Sequence, residues 1–166
     1  MNELYDIIKD YKEACERFNE KAQAIVGERI VKFLTDFPEV KSVKWTQYTP
    51  YFNDGDTCVF GIGDIQFSHL DDAEYEAGDF DFPFVNLGEW ICDEAAKGTD
   101  WAVKRVEKFK LYKTIYPRFD EVCAEVQKIT EMIHFVPAEV FESAFGDSVL
   151  VICTRDGIVT EEYDHD

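Results

Sequence analysis

The sequence lacks most of the short motifs that announce a chemistry. Neither glycine-rich phosphate cradle is present: GIGD at positions 61–64 is two glycines in a strand-like run, not a dinucleotide fingerprint. There is no nucleophile elbow, and His69, His134 and His165 stand too far apart for a zinc set. The five cysteines, Cys15, Cys58, Cys92, Cys123 and Cys153, include no C-x-x-C pair. An odd, dispersed set reads as reduced thiols and a cytoplasmic location. No apolar run is long enough for a membrane span, and MNELYDIIKDYKEACERF is charged throughout, so no signal peptide is expected. Basic residues are scarce, 17 against 35 acidic, for a formal net charge of −18. That excludes the phosphate backbone of nucleic acid as a direct partner and argues against an anionic membrane surface.

Apolar and aromatic residues are plentiful. At 46% hydrophobic and 15% aromatic, 166 residues can build one domain, 1–166, with a sizeable core. Residues 2–36 read as one long helix, with a possible bend at Gly27. Leu4, Ile8, Tyr11, Cys15, Phe18, Ala22 and Ile25 alternate in steps of four and three, the spacing of a coiled-coil seam. The stripe resumes at Ile30, Phe33, Leu34 and Phe37, and Pro38 ends it. A strand over 42–49 and another over 57–62 flank the turn-forming run Asn53-Asp54-Gly55-Asp56, which predicts a hairpin. Gly61 and Gly63 predict a bulge before Asp64-Ile65-Gln66-Phe67.

Six carboxylates crowd 69–83 (HLDDAEYEAGDFDFP), a surface loop by composition. Helices are expected over 87–96, over 99–134 with a break at Pro117, and over 137–145. Tyr112, Tyr116, Phe119, Cys123, Val126 and Ile133 give the 99–134 segment its own seam, so it should lie beside the first helix. Val149 to Cys153 is a continuous apolar run, hence a central strand covered on both faces, and Arg155-Asp156-Gly157 turns it into a last strand over 158–163. The fold class is therefore α+β: an antiparallel sheet of about four strands from two hairpins, packed with two long helices. Two seams exceed what so small a sheet can cover, which predicts a homo-oligomer.

The aromatic hairpin holds the candidate site. Trp45, Tyr48, Tyr51 and Phe52 could supply ring contacts to a small planar ligand such as a nucleotide, or to a protein partner. Gln47, Thr49 and Asn53 would fix its orientation. The acidic surface disfavours a multiply phosphorylated ligand unless Lys44, Arg155 or a metal offsets it. This predicts a non-enzymatic binding protein. A first alternative is a metal-dependent hydrolase using Asp54, Asp56 and Asp64, although the run does not match the calcium-loop pattern. A second is an acidic interaction module that mimics DNA. Cys58–His69 or Cys153–His134 could form a nucleophilic pair only if the fold brings them together. No residue set stands out as catalytic, and no cofactor is implied.

WTQYTPYFNDGD at 45–56 resembles a family of small acidic proteins of bacteriophages and bacteria that has no assigned activity. The resemblance covers the hairpin alone. It implies a phage or bacterial accessory protein and carries over no catalytic residue.

Overall fold

The computed structural model describes residues 2–51, 55, 57–68 and 89–164. Among them are five helices and an antiparallel five-stranded sheet, the expected α+β class. The first helix, α1 (Asn2–Asp36), runs unbroken through Gly27. At 35 residues it is about 50 Å long. Strands β1 (Ser42–Tyr48), β2 (Gly61–Ile62) and β3 (Gln66–Ser68) follow. Then come α2 (Glu89–Ala96), α3 (Asp100–Ile115), α4 (Phe119–Phe135) and α5 (Ala138–Phe145), with the hairpin β4 (Val149–Thr154) and β5 (Gly157–Glu162) last. Pro117 separates α3 from α4.

The two hairpins join through an antiparallel β1–β4 pair, giving the order β2-β1-β4-β5 with β3 also on β1. The fifth strand, one more than expected, comes from the bulge. Gln47 pairs with Ile62 and Lys44 with Gln66, so Trp45 and Thr46 face Gly63, Asp64 and Ile65 on the other strand. That extra residue splits one strand into β2 and β3. The bulge requires Gly63, whose backbone N–H donates to the Thr46 carbonyl at 2.8 Å. A Cβ added there would stand 2.5 Å from Thr46 Oγ1.

Register places Val43, Trp45 and Gln47 on one sheet face with Cys153, Val151 and Val149. This face carries the main core, together with Val26, Ile30, Phe33 and Leu34 of α1, Phe119 to Ile133 of α4, and Phe141 of α5. Three consecutive residues of β4, Val151, Ile152 and Cys153, are buried, as a strand covered on both faces requires. The 99–134 seam is spent inside this core: Phe119, Cys123, Val126 and Ile133 are buried, and Tyr112 and Tyr116 pack against them.

α1 and α4 do lie together, but only along the second half of α1, where Arg29 pairs with Glu125. The last turn of α1 contains no basic residue to meet its free carbonyls. Two distant arginines supply the charge instead. Arg155 Nε donates to the Leu34 carbonyl at 2.8 Å, and Arg118 Nη1 to that of Asp36 at 2.8 Å. The Arg118 guanidinium also lies 4.4 Å from the Phe37 ring centroid.

Candidate functional site

The structure divides the predicted hairpin site. Trp45, 1% exposed, packs edge-on against Phe141 and Phe145 at 5.9 and 5.8 Å. Its indole N–H donates to Gln47 Oε1 at 3.1 Å. Gln47 is fully buried and donates through Nε2 to the carbonyls of Phe141 and Gly146. Both residues therefore belong to the core and leave the ligand-binding set. A glutamine is needed there because the indole N–H and two carbonyls at the end of α5 must find partners away from water.

Tyr48, on the opposite face of β1, is half-buried, with its ring 5.7 Å from that of Tyr163. Thr49 donates its backbone N–H to Asp147 Oδ1 at 2.8 Å, tying the end of the strand to the α5–β4 loop. Tyr51 is 75% exposed. Among the described residues, then, Tyr48, Thr49 and Tyr51 remain at the surface end of the hairpin. Phe52, Asn53, Asp54, Asp56, His69 and the acidic run lie outside the described residues. Asp64 is exposed in the bulge. No group of three or more His, Cys, Asp or Glu among the described residues is placed to hold a metal.

Neither basic residue proposed to offset a phosphate is disposed to do so. Lys44 is buried in the sheet, and Arg155 is engaged with the carbonyls of Leu34, Phe37 and Val40. The Cys153–His134 pair lacks what a nucleophile needs. Cys153 is wholly buried, and burial pushes its thiol up to about 12, whereas His134 is exposed. Burial, aided by the Asp120 charge, likewise pushes Cys123 up to about 11.

A longer row of exposed apolar side chains lies elsewhere, on α1. Burial on α1 begins at Val26, and the last tie before it is Gln23 Nε2 donating to the Val140 carbonyl at 3.2 Å. N-terminal to that point the predicted seam is uncovered: Leu4 is 66% exposed, Tyr11 69% and Phe18 55%. Tyr5 and Ile7, outside the strict four-three series, widen the stripe. An exposed aromatic pair, Trp90 of α2 and Trp101 of α3, has ring centroids 5.2 Å apart. Sequence reading missed this pair. The turn at Gly98 and Thr99 that folds α2 against α3 was its only signal.

No helix among the described residues is long and apolar enough to cross a membrane. No protein-family model, curated protein or solved structure matches the chain.

Proposed function

We propose that this chain is a non-enzymatic protein-interaction module whose working surface is the exposed apolar stripe on the first half of α1. One observation carries the reading: a helix docked on its own domain from Gln23 onward leaves a row of large apolar side chains uncovered before that point. Contiguous apolar surface of this extent marks a contact site. The resemblance to small acidic phage and bacterial proteins is compatible with such an accessory role.

The test is a photoreactive amino acid placed at Ile8, on the stripe, and at Glu13, on the charged side, in cells producing the full chain. A protein-sized adduct from position 8 and none from position 13 is the expected result. Absence of adducts from position 8 overturns the reading.

A second reading keeps a small planar ligand at the hairpin end. It is supported by the Tyr48–Tyr163 ring pair and the exposed Tyr51 ring. It predicts a nucleotide-dependent rise in melting temperature that Tyr51→Ala removes without unfolding the protein. A nucleotide screen with no shift counts against it.

A further inference from the structure

We infer that the stripe's partner is a second copy of this chain, with the two α1 segments over 4–25 pairing antiparallel about a two-fold axis beside Glu13. This names the partner for the interaction reading above and rests on it.

The first support is where the charges fall. In heptad terms Leu4, Tyr11, Phe18 and Ile25 take one seam position, and Ile8, Cys15 and Ala22 the other. Every acidic residue between 4 and 25 lies away from the seam and from the positions flanking it. Glu13 is occupied on the outer face, close to Lys9 and Arg17. Two copies can therefore approach without setting carboxylate against carboxylate.

Charge content gives the second support. Residues 4–25 contain five acidic and four basic residues, so nearly all of the −18 resides in the rest of the chain. The segment best able to meet its own copy is the one nearly free of net repulsion.

Area agrees. Tyr5, Tyr11 and Phe18 are each more than half exposed, so of the about 150–250 Å² that such a ring buries in full, roughly 100–150 Å² apiece is still open to a partner. With Leu4, Ile7 and Ile8 they approach the roughly 800 Å² that each partner gives to a standard interface.

Repulsion between the acidic bodies sets the direction. Parallel pairing would bring the two bodies side by side at the same end. Antiparallel pairing about residue 13 places residue 23 of one copy level with residue 3 of the other. The bodies then sit about 30 Å apart along the axis, several times the roughly 8 Å screening length at physiological ionic strength. In this register Leu4 meets Ala22, Ile8 meets Phe18, and Tyr11 meets Cys15 of the second copy. Its cost is Lys12 beside its own copy, and the long side chains relieve that by extending into solvent.

Sedimentation equilibrium of the full chain over a concentration series is the first experiment. Twice the monomer mass is expected, and Phe18→Glu, at an exposed position, should weaken association at least about tenfold while its circular dichroism remains that of a folded chain and its melting loses the dependence on protein concentration. A monomer at every concentration overturns self-pairing. If position 8 still yields an adduct with another protein in cells, the interaction reading survives that failure; if it yields none, both fall.

Direction is read by oxidative cross-linking in a Cys58→Ser, Cys92→Ser background, with peptide mapping. Tyr11→Cys should form a bond between positions 11 and 15 of different copies. A bond between two Cys15 residues forming faster, in the chain that keeps Tyr11, overturns the antiparallel arrangement.

Discussion

Arg155 Nη2 lies 2.6 Å from the carbonyl oxygen of Val40, and the same guanidinium reaches Leu34. A residue in the β4–β5 turn thus closes the far end of α1, more than a hundred positions earlier in the chain. Arg155→Ala should cost about 2–3 kcal/mol, because charge-assisted bonds are lost and part-buried carbonyls go unpaired. Arg155→Lys should recover only part, since an ammonium cannot span the fork of contacts. Urea unfolding of both variants measures this. A loss below about 0.5 kcal/mol, the range of ordinary surface changes, would show that the contacts do not hold the helix end.

Gln47 is the second such joint. Gln47→Leu keeps the volume but strands the Trp45 indole N–H and removes the Gln47 donor from the carbonyls of Phe141 and Gly146. The expected loss is about 3 kcal/mol, together with a change in Trp45 fluorescence. An unchanged denaturation midpoint would mean that the surrounding groups find other partners.

At the bulge, Gly63→Ala should destabilise by about 1–3 kcal/mol, as overpacking does. Thr46→Ala removes the hydroxyl that the new methyl would strike. The double variant should therefore be more stable than the sum of the single effects, and a double-mutant cycle reads that coupling. Strict additivity would place the strain elsewhere.

Asp147 gives the fold a pH dependence. Its partial loss of solvent would by itself raise its pKa, but hydrogen bonds from Thr49 and Ser148 outweigh that and hold the carboxyl below the ordinary range. A depressed folded-state pKa contributes stability that is complete above the unfolded value, near about 3.9. The contribution disappears as pH falls through the lower folded value. Stability measured from pH 7 down to pH 3 should fall more steeply for the native chain than for Asp147→Asn. Parallel curves would remove Asp147 as a source.

Elements with a strong period were legible from residues alone. The four-three spacing located α1, the glycine pair located the bulge at 63–65, and the apolar run 149–153 marked a strand covered on both faces. Periodicity says which residues share a face, but not what that face meets. The seams of α1 and of 99–134 look alike in sequence, yet α4 buries one against the sheet while the first half of α1 stays uncovered. For the same reason Trp45 and Gln47 passed for a site. Alternation along β1 put them on one face, and only the approach of α5 makes that face interior.

β5 is exposed along its whole length, at the edge of the sheet. Behind it lies Ser148 to Thr154, an uncharged, β-branched run of the type that stacks into fibrils when its edge is open. β5 shields that run from other chains, and its own rim bears Glu161 and Glu162, which repel an incoming strand. A chain cut after Asp156 would lose this guard and should aggregate, even though it retains nearly every residue of the core.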